Sequence, residues 1–245
     1  MNEELIRLSK LLSQKGICSR READSYIEKG WVFVDGACVD VLGTKVSPNA
    51  SITLKKECEH IQENKVTILL NKPLGYVSCL PEKGYEPAIT LITPENQFSS
   101  RSSQILLPSH LEKLSVAGRL DINSKGLLVF TQCGAIAKQL IGEDSGVEKE
   151  YFVRVSDYLT QEDCRLLEHG LELDGKPLKR AKVKKISETT FTIILKEGKK
   201  RQIRRMCELL RLTALELKRI RVGKVELGNL PIGCWRFLRS DESFI

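Results

Sequence analysis

No Cys-x-x-Cys pair occurs in this chain although it holds 8 cysteines, and its 3 histidines do not stand at zinc-ligand spacing to them. Those absences exclude the usual structural zinc site. No glycine-rich nucleotide-binding loop, no metal cluster and no motif of the S-adenosylmethionine type is present. No apolar run approaches the length of a membrane span, and the opening MNEELIRLSK is too charged for a secretory signal. Reduced thiols, a cytoplasmic location and no membrane partner are the expectation.

What is present suits a folded protein with a polyanionic partner. Of 245 residues, 41% are hydrophobic, enough for a real core in one large domain or a small one plus a medium one. Lys and Arg number 39 against 32 Asp and Glu, a balance of +7 that suits a polyanionic partner without proving one.

Leu5, Leu8, Leu11 and Leu12 recur at helical spacing up to Gly16. Ser19 and Glu22 then form a capping box before a second helix with Ala23, Tyr26 and Ile27 on its apolar face. Val32–Val34 and Ala37–Val39 flank the turn Asp35-Gly36, a hairpin signal, and Ile52–Leu54 reads as a further strand. Arg7, Lys10, Arg20 and Arg21 fall at or near the starts of the two helices, where cations and free amides can meet phosphates. The run from Arg7-Leu8-Ser9-Lys10 through Ser19-Arg20-Arg21-Glu22-Ala23 to Val34-x-Gly36 resembles an S4 domain, which implies that this part clamps RNA by shape. It is assigned residues 1–56. Residues 57–65 are polar, without periodicity, and read as a linker with no reason for rigidity.

Residues 66–245 read as a larger unit with several strands. Val66–Leu70, Glu148–Val155, Ala181–Ile186, Thr190–Leu195 and Leu215–Val222 are strand-like, and Ala135–Ile141, Cys164–His169 and Arg201–Leu210 are helical. Ile203, Met206, Leu209 and Leu210 are the expected core side of the last helix. Trp235 is expected in the core. Lys179, Arg180, Lys182, Lys184 and Lys185 give one strand a basic edge, which either meets phosphates or guards the edge against aggregation. The stretch 81–117, dotted with prolines, is either functional or disordered.

The reactive candidate lies in Gly118-Arg119-Leu120-Asp121-Ile122-Asn123-Ser124-Lys125-Gly126-Leu127-Leu128. Gly118, Asn123, Ser124 and Gly126 make a turn-rich loop carrying Asp121, followed by a buried strand. Taken alone, an Arg-x-Asp pair is usually a solvated turn. The string resembles the catalytic motif G-R-L-D-x-x-S-x-G-L-L of the RsuA-like pseudouridine synthases, which isomerise uridine in ribosomal RNA. Its usual close, Thr-Asn-Asp-Gly, is replaced by Thr131-Gln132-Cys133-Gly134. Asn71-Lys72-Pro73-Leu74-Gly75, Lys149-Glu150-Tyr151 and Arg201-Gln202-Ile203-Arg204-Arg205-Met206 resemble the family's other motifs.

The resemblance implies an α+β fold: a small S4 domain followed by a mixed, mainly antiparallel sheet with flanking helices. It nominates Asp121 as the catalytic carboxylate, Tyr151 as the ring stacked on uracil and Arg204 as the partner of Asp121, forked onto the carboxylate. Arg119 would displace the base, while Lys72 and Arg201 would bind substrate, with Lys199, Lys200 and Arg205 also facing RNA. Asp121 would either attack C1′ or abstract a proton to give a glycal-like intermediate. No cofactor is needed, because uridine isomerises without redox change or group donor. The expected partner is RNA, foremost large-subunit (23S) ribosomal RNA or a pre-ribosomal particle, met by a monomer. Another ribosomal uridine, a tRNA anticodon uridine, and a non-catalytic S4-type RNA-binding protein are the alternatives. A glycosidase would need a second carboxylate, and the sequence nominates none.

Overall fold

The computed structural model describes residues 4–79, 84–98, 104–142 and 145–245. At the N-terminal side, local signals decide the elements. The Ser19 hydroxyl accepts the Glu22 amide at 3.3 Å while the Glu22 carboxylate accepts the Ser19 amide at 2.9 Å, closing the expected capping box on the helix Arg20–Glu28. Asp35 and Gly36, with φ of 50° and 84°, form the two-residue turn that joins Val32–Val34 to Ala37–Val39. Ile52–Leu54 adds to the other side of Val32–Val34.

Two boundaries differ from the sequence reading. The first helix is Leu8–Gln14, and Leu5 stays exposed because Ile6–Arg7 pairs instead with Lys45–Val46 as a short strand. The segment read as a linker is a helix, Lys56–Glu63. Its Cys58 is buried in the N-terminal core with Leu8, Leu12 and Ile27, and the Gln62 side chain donates to the Tyr26 hydroxyl at 2.8 Å. A polar sequence hid a helix whose described side chains include a buried thiol and an amide bonded to the N-terminal core.

Among the described residues, the larger unit is built on a nine-stranded sheet. Its main order is Lys182–Lys185, Thr190–Leu195, Lys149–Val155, Ala214–Val222, Lys125–Thr131, Thr67–Lys72, Trp235–Phe237. Neighbours along this path are antiparallel except Lys125–Thr131 and Ala214–Val222, which run parallel and pair only at Lys125↔Lys218 and Gly126↔Arg219. The basic strand Lys182–Lys185 is an edge strand. Thr67–Lys72 is buried along its whole length, as fits a strand covered on both faces.

On one side of Lys125–Thr131, Leu128 and Phe130 pack with Ile68, Leu70 and Trp235; on the other, Leu127 and Val129 pack with Leu69 and Leu140. Helices Gln161–Glu168 and Gln202–Leu209 cover the far half of the sheet around Phe191, Ile193, Ile203 and Met206. Leu209, expected in that core, is exposed, and buried Cys207 lines it instead.

Within 81–117, residues 81–83 and 99–103 lie outside the described residues. The rest is a packed cover: Ala88 and Ile92 are buried against the cluster that holds Trp235, whose indole donates to the Thr93 carbonyl at 2.7 Å. The N-terminal module meets the body at helix Gly134–Ile141. A Cβ on Gly134 would lie 2.4 Å from that of Ser19, and Lys138 donates to the Ser13 carbonyl at 3.4 Å.

Candidate active site

The loop between Ala117 and Lys125 is held from three directions. The Ser78 hydroxyl donates to the Leu120 carbonyl at 2.5 Å and accepts the Leu120 amide at 2.8 Å, pinning the residue before Asp121. The Gly75 amide donates to the Ile122 carbonyl at 3.0 Å, so the Asn71–Gly75 turn braces the residue after it. The Ser124 amide closes a turn on the Asp121 carbonyl at 3.0 Å. With its neighbours fixed on both sides, the Asp121 side chain has little backbone freedom, which is what a reactive group gains from a braced loop.

Asp121 and Tyr151 line one cavity of about 980 Å³ together with Arg119 and Arg201. Among the described residues, its wall carries eight cationic side chains, Lys149, Lys199 and Lys200 included, against the carboxylates of Asp121 and Glu197. Such a wall concentrates polyanions. Arg119 is exposed at the cavity. Tyr151 comes from Lys149–Val155, opposite Arg219, and the register against Ala214–Val222 slips between Glu150 and Tyr151. Irregularities of this kind re-aim a side chain.

Two expected roles need correction. Lys72 is fully buried, its ammonium donating to the carbonyls of Pro73 and Tyr76, each at 2.8 Å, so it is out of reach of a phosphate. Burial pushes its pKa down to about 8, opposed by the Asp121 carboxylate. Arg204 is buried too, but its fork meets carbonyls and not the carboxylate. One arm donates to Ala214 and the other to Asn123, both at 2.7 Å. It therefore ties the Asp121 loop to the strand Ala214–Val222. Burial and Arg201 lower its pKa, and Asp121 pulls the other way, so the two groups sense each other through space. The sequence pattern showed an arginine near the inner side of a helix, and carbonyls exposed by a loop are competing acceptors that no pattern displays.

Arg205 is a third difference. It forks onto Asp174 at 3.0 and 2.6 Å and does not line the cavity. Lys199 lines the cavity and also donates to the Leu173 carbonyl at 3.3 Å. Arg201 begins the helix in a left-handed conformation, φ 52°, with its side chain exposed at the cavity. In the N-terminal module Arg7, Lys10, Arg20 and Arg21 are all exposed.

Sequence reasoning missed Gln202 and Arg219. Buried Gln202 donates to the Glu197 carboxylate at 2.8 Å and accepts the Lys199 amide at 2.9 Å, clamping the basic loop that precedes its helix. Arg219 is 2% exposed and lines the cavity. Its signal was available: two positions after Leu217 on a strand, it shares the inward side of an apolar residue.

A braced carboxylate and a phenol ring share a cationic cavity, on a sheet preceded by a small helix-and-hairpin module, an arrangement that suits an enzyme acting on a base of RNA. Residues 66–209 match the RNA pseudouridylate synthase family and residues 6–52 match the S4 domain. The chain thus belongs to the RNA pseudouridine synthases, enzymes that convert uridine to pseudouridine, and it carries an S4 domain. It is 36% identical to the dual-specificity RNA pseudouridine synthase RluF of Escherichia coli, covering 97% of this chain and 77% of that one. An uncharacterized RNA pseudouridine synthase of Aquifex aeolicus is 33% identical, with 97% and 94% covered. A crystal structure of a pseudouridylate synthase superposes with a TM-score of 0.65 over 96% of each chain at 23% identity, a likeness of fold.

Proposed function

We propose that this enzyme isomerises one specific uridine of large-subunit (23S) ribosomal RNA, acting as a monomer in the cytoplasm, with Asp121 as the reacting carboxylate. The observation that carries the residue assignment is that Asp121 and Tyr151 line a single cavity whose rim is cationic. The choice of RNA is supported by the 36% identity to the RluF protein across nearly the whole chain and by the strings Ser19–Asp24, Glu148–Tyr151 and Arg201–Cys207. The relatives' name speaks of dual specificity, which favours a second RNA, and a tRNA anticodon uridine is the second candidate.

In this reading Arg7, Lys10, Arg20 and Arg21 hold phosphates on the S4 side, and Lys199, Lys200 and Arg201 hold them at the cavity mouth. The target uridine leaves its stack at a cost of about a few kcal/mol, offset as Arg119 fills the gap and Tyr151 stacks on the ring. The N1–C1′ bond breaks, the uracil turns and C5 bonds to C1′. Asp121 acts on the sugar or base, and the C5 proton is removed last. Atoms balance within the nucleotide. Pseudouridine mapping of total ribosomal and transfer RNA from cells with and without the gene tests the assignment. The expected result is one 23S site lost and then regained on re-expression, and an unchanged map refutes it.

A further inference from the structure

The two parallel strands at the middle of the sheet touch only briefly. Lys125–Thr131 pairs with Ala214–Val222 at Lys125↔Lys218 and Gly126↔Arg219, and no pairing follows beyond that point. A strand that leaves its neighbour inside a protein exposes carbonyls that must be satisfied elsewhere. Here one side chain takes over. The Arg219 Nε donates to the Leu127 carbonyl at 2.7 Å, one residue past the last paired position. The same guanidinium donates through Nη2 to Gly118 at 2.9 Å and through Nη1 to Arg119 at 3.5 Å. Gly118 and Arg119 begin the loop that carries Asp121, and Leu127 follows its end. One planar fork thus joins the beginning and end of the loop, a geometry that a lysine cannot reproduce.

The surroundings are fitted to this arrangement. Gly126, with φ of +104°, lies so close to the neighbouring strand that a Cβ would stand 2.2 Å from the Arg219 carbonyl. Gly118, φ +99°, turns beside the guanidinium, which would be 3.8 Å from a Cβ there. On its other side, Arg219 is the cross-strand partner of Tyr151. Arg219 therefore sits between the strand that presents Tyr151 and the loop that presents Asp121.

We propose that Arg219 is a positioning residue for uridine isomerisation: its guanidinium closes the neck of the Asp121 loop and sets the spacing between Asp121 and Tyr151. The proposal rests on the reading of those two residues given above. Arg219 need not touch the RNA in this role. Its loss acts on the rate of chemistry and not on capture, because the phosphate-binding cations lie elsewhere on the rim and on the S4 domain.

The test uses the full chain with Arg219→Lys, which keeps the charge but cannot bridge three carbonyls, and Arg219→Gln in parallel as a second variant. Single-turnover rates on RNA are expected to fall about 100-fold in both, the cost of a misplacement near one ångström, with RNA affinity within about threefold of wild type. Guanidinium ion added to Arg219→Gln is expected to restore part of the rate. Hydrogen exchange gives an arm that needs no activity: the amides of residues 118–127 should exchange at least about 10-fold faster in the variants, while those of 190–195 keep their protection. A wild-type rate in Arg219→Lys, or unchanged protection of 118–127 in whichever variant folds, overturns the proposal. If the wild type itself modifies no RNA, the assignment of Asp121 fails, and the exchange arm still decides whether Arg219 holds the loop.

Discussion

The buried ammonium of Lys72 and the carboxylate of Asp121 act on each other: Asp121 raises a pKa that burial has taken down to about 8. Below that pH the loop has a desolvated cation behind it, and above it the cation is gone. Single-turnover isomerisation is therefore expected to fall as pH rises through about 8, and Lys72→Met should lack that descending limb. Stability moves the other way. The unfolded lysine, near 10.5, binds its proton where the folded one has lost it. Lys72 thus costs stability in full below about 8, and the cost disappears as pH rises from there to 10.5. Wild type should gain on Lys72→Met by up to about 1.4 kcal/mol per pH unit in that window, read from urea midpoints. Parallel curves would contradict the assignment.

Asp121→Asn keeps shape and hydrogen-bonding capacity while removing the charge. We expect it to abolish pseudouridine formation with RNA affinity nearly unchanged. Release of tritium from C5-labelled RNA reports the reaction, and release by the variant would remove Asp121 from its role.

Tyr151 packs partly against both cores that flank it and presents its ring to the cavity. Stacking on an extruded base is worth about 1–3 kcal/mol, so Tyr151→Leu should slow single turnover by roughly 5–150-fold. Tyr151→Phe retains the ring and should retain stacking. Equal losses in both variants would point to the hydroxyl instead.

Gly134 is where the S4 domain seats. A side chain there meets Ser19 at once. Gly134→Leu should leave the body folded but let the two RNA-holding surfaces act independently, which forfeits effective concentration. Filter binding should show RNA affinity weakened about 100-fold, and affinity within twofold of wild type would show that the seating carries no weight.

Salt gives an independent reading of how the S4 domain holds RNA. Every phosphate left without its cation should flatten the slope of log affinity against log salt by about 0.7–0.9. Replacing Arg20 and Arg21 together by Gln is expected to remove between one and two such increments. A slope equal to wild type would place these exposed arginines outside the RNA path.

The sequence displayed elements fixed by local chemistry: the Ser19–Glu22 capping box, the Asp35-Gly36 turn and the apolar strand Leu127–Phe130. Each of these is decided by a few neighbouring residues. It also nominated Asp121 and Tyr151 through contiguous strings, and both line the same cavity. The cations were harder. Lys72, Arg204 and Arg219 look alike in sequence to the solvated lysines and arginines around them, yet all three are buried on backbone carbonyls. Which cation turns inward depends on where strands part and loops expose acceptors, and that is a property of the assembled sheet. Helix Lys56–Glu63 was obscured for a related reason: among its described side chains the anchors are Cys58 and Gln62, too few to write a period.

The bond from Arg219 to Gly118 spans 101 residues of chain. During synthesis, at about 5–20 residues per second, the segment bearing Asp121 leaves the ribosome several seconds before the strand that will fasten it. A nascent chain thus has the whole sequence of its S4 domain well before it has all the residues that line the cavity. On the RNA-holding role proposed for that domain, attachment would precede reactivity in the life of each molecule, and an incomplete translation product would occupy RNA without altering it.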